Sequence, residues 1–123
     1  MNIANDSPAI LAVCDEFDLG SINRVPLGGG LLTGKYNPTS EFSKDDIRST
    51  WNLKESRYAE RLKYIDTLRQ LLTQDGRTLA QAALAWLWGR SRRSIPIPGF
   101  RNEAQVRENV KAMEYPMLNA EQM

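Results

Sequence analysis

Two short runs of this sequence, Ser21–Val25 and Ser94–Ile97, read as β-strands, and each passes directly into a glycine-containing turn. A long loop and two helical patterns separate them, with one further helical pattern before the first run and another after the second. The order helix, strand, long loop, two helices, strand, helix fits α/β units whose strands lie parallel. A third strand forms if Met1–Ile3 contributes. Even then the sheet cannot close on itself, and a two-stranded parallel sheet leaves both edges open. The expectation is a partial fold whose upstream portion is missing.

Each helical pattern carries its own start signal. Ser7-Pro8 opens the first, because the serine oxygen caps free backbone N–H groups and proline's fixed φ suits the first helical position. Ile10, Leu11, Cys14 and Phe17 follow at helical spacing, and Gly20 marks the expected stop. Tyr58, Leu62, Ile65, Leu68 and Leu72 form the apolar face of a second helix ending near Asp75-Gly76. Thr78-Leu79-Ala80-Gln81 is a capping box, and the run Ala82–Trp88 is apolar nearly all round, as in a helix covered on most sides. Its core side is expected at Leu79, Ala83 and Trp86. Asn102 to Gln105 starts the next helix, with Val106, Val110 and Met113 on its apolar face, and Leu118–Met123 resembles a cap and first turn.

Composition closes off several classes of function. Apolar residues at 41% and charged residues at 25% are those of a soluble globular chain. A net charge of +1 gives no reason to expect nucleic acid or an anionic membrane as partner, so any anion site must be local. The apolar stretches fall far short of the roughly 20 residues of a membrane span, and the start lacks a secretory pattern, which points to the cytoplasm. Cys14 stands alone on an apolar helix face and is expected to be a packing residue. With no histidine, this chain alone holds no histidine general base, Ser-His-Asp triad or histidine-ligated metal.

The chemistry lies in the two turns. In Val25-Pro26-Leu27-Gly28-Gly29-Gly30-Leu31-Leu32-Thr33-Gly34-Lys35-Tyr36, glycines let backbone N–H groups form a concave anion nest, and Lys35 adds positive charge. The pattern is not a Walker loop, and by itself it equally describes a flexible loop with a solvated lysine. In Ile97 to Asn109 a strand turns into a capped helix whose N–H groups and dipole favour an anion, beside Arg101 with its fork of donors. Helical spacing sets Gln105, Glu108 and Asn109 on adjoining turns, where their polar ends could read a planar heterocycle. Arg107 and Lys111 read as a solvated helix face, and Arg48 as a surface arginine beside Asp45 and Asp46 with only a loose claim on a ligand.

As an ordered pair, Pro26–Tyr36 and Ile97–Asn109 resemble the turns after the seventh and eighth strands of the aldo-keto reductase barrel. The Asp45-Asp46-Ile47-Arg48 stretch, the Thr78–Trp88 helix and the Leu118–Gln122 tail follow in that family's order, so the resemblance covers the whole chain. The bacterial, plant and potassium-channel β-subunit-like branches are the nearest in pattern. The resemblance implies an α/β fold: the C-terminal part of a (β/α)8 barrel, about strands 7 and 8 with their helices, truncated at both ends. A complete barrel needs roughly 250 residues.

The same resemblance implies that NADP(H) is the cofactor, held weakly here. Pro26, Leu27, Gly28 and Lys35 would line its pyrophosphate and nicotinamide side, Gly99 and Arg101 would hold the 2′-phosphate, and Gln105, Glu108 and Asn109 would meet the adenosine end. Val25 stands where the family often has serine, at the loss of one side-chain hydrogen bond. The family's catalytic aspartate, tyrosine, lysine and histidine lie upstream, and Tyr36, Tyr58, Tyr64 and Tyr115 match none of their contexts. The complete protein is thus expected to reduce carbonyl substrates to alcohols, and this chain alone to be inactive. The alternative is a non-catalytic interaction module, or a split-barrel half that self-associates or docks with a separate N-terminal partner through its sheet edges.

Overall fold

The computed structural model describes residues 7–123. It contains the helices α1 (Pro8–Glu16), α2 (Arg57–Thr73), α3 (Leu79–Arg90) and α4 (Glu103–Lys111), and the strands β1 (Ser21–Arg24) and β2 (Ser94–Ile97). Short 3₁₀ segments cover Gly28–Thr33 and Ala112–Glu114. The strands pair in parallel, Ser21 opposite Ser94 and Arg24 opposite Ile97, so their carboxyl ends lie level. That register brings both glycine-containing turns to one end of the sheet. The suggested strand at Met1–Ile3 lies outside the described residues.

The helix starts follow the sequence signals. Ser7 Oγ accepts from Ile10 N at 3.3 Å. At α3, Thr78 Oγ1 accepts from Gln81 N at 3.2 Å while Gln81 Oε1 accepts from Thr78 N at 2.8 Å, a reciprocal pair that satisfies two donors otherwise left open. Helix α3 is the hub of the molecule: it lies against β2, α2, α4 and the glycine segment, and every residue from Leu79 to Leu87 is buried. Its alanines let neighbours approach closely, while Leu62, Ile65 and Leu72 of α2 join Leu31, Leu53 and Leu79 in the main core.

Three expectations require correction. First, α1 stops before Gly20, because Asp18 takes a left-handed φ of 54° and Leu19 N donates to Cys14 O at 2.8 Å. Gly20 instead lies beside the exposed Ile95 side chain, whose Cδ1 would stand 2.6 Å from a Cβ placed there and could turn aside into solvent. Second, only Leu11 and Cys14 of the α1 apolar face are buried; Ile10 and Phe17 face solvent. Third, α4 buries none of its residues fully, and Val110 and Met113 are exposed. The strands present a related inversion. Ser21, Asn23 and Ser94 are buried, whereas Ile22, Ile95 and Ile97 are exposed on the open face.

The tail is tied down by side chains. Asn119 Oδ1 accepts from Glu121 N and Gln122 N, each at 3.0 Å, and Gln122 Oε1 accepts from Asn119 N at 3.1 Å, giving the expected cap. Gln122 Nε2 then donates to Leu71 O at 2.9 Å. The buried Arg77 pairs with Asp75, donates to Pro116 O at 2.8 Å and lies over the Tyr115 ring, 5.3 Å from its centroid. Hydrogen bonds from Arg77 hold the Asp75 carboxyl below the usual carboxylate range.

Candidate functional site

Beyond the carboxyl ends of β1 and β2 the two turns enclose a cavity of about 700 Å³. The volume is within the roughly 300–1,000 Å³ of small-molecule and cofactor sites. From the first turn, Pro26, Leu27 and Lys35 line it; from the second, Gly99, Arg101, Gln105, Glu108 and Asn109 do so. Residues more than 60 positions apart in sequence therefore share one cavity because the strand register levels their turns. Gly28 stands apart from the cavity lining. Its place is inside the turn, where its N–H donates to Val25 O at 2.9 Å.

The glycine segment is folded by its own backbone. Gly30 N and Leu32 N both donate to Leu27 O, at 3.0 and 3.2 Å, and Thr33 Oγ1 donates to Gly30 O at 2.7 Å. Gly28, Gly29 and Gly30 hold φ of 58°, 67° and 96°, a left-handed run that side-chain-bearing residues would adopt only at a cost of about 1–2 kcal/mol each. At Gly29 a Cβ would also lie 2.8 Å from Trp51 Cη2. The expected anion nest is thus narrower than the sequence suggested, because the Gly28 and Gly30 amides are engaged within the turn. Val25, a β-branched residue, holds φ of 55° at the cavity rim, which is a backbone outlier.

Arg48 is not the surface arginine expected. Its side chain is 11% exposed and lines the cavity. Nε donates to Asp46 Oδ1 at 2.7 Å and Nη2 to Asp46 Oδ2 at 2.5 Å, while Nη1 donates to Gly29 O at 3.2 Å and to the Tyr36 hydroxyl. Two nitrogens of the guanidinium thus hold Asp46 within the long loop, and the third, Nη1, ties that loop to the glycine segment. The hydrogen bonds from the Arg48 side chain, then from its backbone N–H, hold the Asp46 carboxyl far below the usual carboxylate range, and the charge of Arg101 adds to the effect. An aromatic ladder supports the same loop: Tyr36 and Phe42 meet edge to face at 5.1 Å, Phe42 and Trp51 at 5.9 Å, and Trp51 stacks on Tyr58 at 4.4 Å.

The start of α4 is capped more completely than expected. Asn102 Oδ1 accepts from Gln105 N at 3.0 Å, and Gln105 Oε1 accepts from Arg101 N at 2.7 Å. An incoming anion would meet the Arg101 side chain and the helix dipole, while the Arg101 amide is already engaged. Arg107 pairs with Glu103 one turn back on an exposed surface, as a solvated face should. Lys35 is exposed, with Nζ 4.8 Å from the centroid of the Tyr36 ring. Sequence reasoning missed Arg24 and Phe100, which also line the cavity. The position of Phe100 between Gly99 and Arg101 was the available signal.

Among the described residues, no group of three or more His, Cys, Asp or Glu side chains gathers to hold a metal ion, and no helix is long and apolar enough to cross a membrane. A cavity bearing cations beyond the carboxyl ends of parallel strands places the chain among α/β proteins that take ligands on that face. The family model described as the aldo/keto reductase family matches residues 1–123, and the chain belongs to that family. It is 25% identical to the aldo-keto reductase yakc [NADP(+)] of Schizosaccharomyces pombe, over 98% of this chain and 36% of that protein. It is 34% identical to a probable voltage-gated potassium channel subunit beta of Arabidopsis thaliana, over 76% of this chain and 30% of the relative. A glycerol dehydrogenase from Gluconobacter oxydans superposes with a TM-score of 0.78 at 28% identity, covering 92% of this chain and 34% of the other. The chain therefore spans about a third of the length of the proteins it matches.

Proposed function

We propose that this chain forms the NADP(H)-binding corner of an aldo-keto reductase, corresponding to strands 7 and 8 of the barrel, in a protein that reduces aldehydes or ketones to alcohols. The observation that carries the reading is the single cavity in which Lys35 and Arg101 meet Gln105, Glu108 and Asn109 at the carboxyl ends of paired strands. The donor set suits the cofactor: cations for phosphates, and a cluster of amide and carboxylate ends for a purine edge. The NADP(+) in the name of the Schizosaccharomyces pombe relative supports the same reading. When bound, NADPH supplies the hydride; the residues of this chain bind and orient it. Arg101 would hold the 2′-phosphate and Lys35 the pyrophosphate, while Arg48 contributes to the cavity lining from the long loop.

The chain alone is read as binding weakly and catalysing nothing, since it contains no histidine and its tyrosines match none of the catalytic contexts. Calorimetric titration with NADP⁺ and NAD⁺ tests the binding claim. We expect NADP⁺ to bind more tightly, and Arg101→Ala to cost about tenfold in NADP⁺ affinity while leaving NAD⁺ unchanged, the loss of a charge-assisted contact to the extra phosphate. Equal affinity for both nucleotides in the unaltered chain would remove the 2′-phosphate assignment. NADPH oxidation with a panel of aldehydes, free of host reductases, would overturn the claim of inactivity.

A second reading is favoured by the open sheet face. Ile22 and Ile95, paired across the strands, are 68% and 50% exposed. Contiguous apolar surface of that kind marks a contact with another polypeptide. It supports a chain that docks with a separate N-terminal partner or with itself.

A further inference from the structure

Phe100 is 63% exposed, yet it lines the cavity directly beside Arg101. A large aromatic ring left open to solvent in a site that carries Arg24, Lys35, Arg48 and Arg101 has neither a core to fill nor a hydrogen bond to make. Its one chemical resource is a flat π face. The same cavity is lined by Gln105, Glu108 and Asn109, whose polar ends suit the edge of a heterocycle but supply no face for it to lie against. We propose that Phe100 is a positioning residue that stacks against the adenine of the bound nucleotide. The inference rests on the NADP(H) reading above.

The covalent structure of the nucleotide points to adenine over nicotinamide. The 2′-phosphate and the base sit on adjacent carbons of one ribose, so a residue next to the one holding that phosphate lies close to the purine. Base–aromatic stacking is tolerant of ring identity and worth about five- to 150-fold in affinity. Phe100 would thus hold the plane of the base while the α4 side chains read its edge. Because the ring is mostly exposed, its replacement should leave the fold intact.

The test uses this chain with adenosine 2′,5′-bisphosphate, nicotinamide mononucleotide and inorganic phosphate as separate probes, read by proton NMR titration. In the unaltered chain the adenine H2 and H8 resonances should move upfield under the ring current of Phe100. Phe100→Leu, which keeps apolar bulk without a π face, should lose that shift and weaken adenosine 2′,5′-bisphosphate about tenfold. Phe100→Tyr should retain both, and phosphate affinity should not change in either variant. If the bisphosphate binds but Phe100→Leu leaves affinity and shifts unaltered, the stacking role is overturned and the cofactor reading stands. If Phe100→Leu weakens only nicotinamide mononucleotide, the ring serves the other base and the proposal is wrong. Failure of the unaltered chain to bind the bisphosphate at millimolar concentration would overturn both.

Discussion

Asp46 shows how a charge can act on this site by organising another charge. Both carboxylate oxygens hold Arg48, whose third nitrogen reaches Gly29 O, so the glycine segment and the long loop are joined through one ion pair. The folded-state pKa of Asp46 lies below its unfolded value, mainly because of the Arg48 side-chain hydrogen bonds. A depressed carboxylate contributes stability above its unfolded pKa of about 3.9, and the contribution fades as pH falls from there toward the folded value. Asp46→Asn should therefore lower the urea midpoint at pH 7, and the difference from the unaltered chain should shrink below about pH 4. A difference that stays constant from pH 7 to pH 3 would mean that ionisation of Asp46 does not contribute. Nothing in the sequence separated Arg48 from an ordinary surface arginine, because its acceptors at Gly29 and Tyr36 lie 19 and 12 residues away and are set by tertiary folding.

At the scale of elements, Gln81 links two helices by one side chain. Its Oε1 completes the cap of α3, and its Nε2 donates to Glu108 O of α4 at 3.0 Å, with the residue itself buried. Gln81→Ala should cost about 2 kcal/mol, a cap plus a buried acceptor left unpaired, measured by denaturant unfolding. Amide exchange across residues 103–111 should also quicken, since α4 buries no residue of its own fully and leans on such ties. The capping box was legible because both its partners fall within one turn, as were the α2 stripe and the two strands. The exposure of this apolar stripe of α4 was not: Val106, Val110 and Met113 share helical apolar spacing, but spacing cannot say that Val106 is half-buried while Val110 and Met113 are exposed. The cavity was legible as two turns and eight of its lining residues; of the missed members, Arg24 carried no repeat or spacing to announce it, and Phe100 only its place between Gly99 and Arg101.

For the molecule as a whole, the polarity of the sheet matters more than its size. Helix α3 lies against β2, and the buried strand residues Ser21, Asn23 and Ser94 are small or polar, while the isoleucines point the other way. An antiparallel sheet with one solvated face ordinarily shows the opposite alternation, and parallel sheets are usually covered on both faces. Among the described residues the sheet has only β1 and β2, so β2 has no strand on its far side. An exposed apolar face beside such an edge favours association. The chain by itself should then show an apparent mass that rises with concentration in light scattering. Ile22→Lys should suppress that rise, because the side chain sits in the middle of the open face and is 68% exposed. Its unfolding midpoint at high dilution should move by no more than about 0.5 kcal/mol, as for a surface position. A concentration-independent monomer in the unaltered chain would show that the exposed isoleucines do not suffice for self-association, and would remove self-docking from the second reading proposed above.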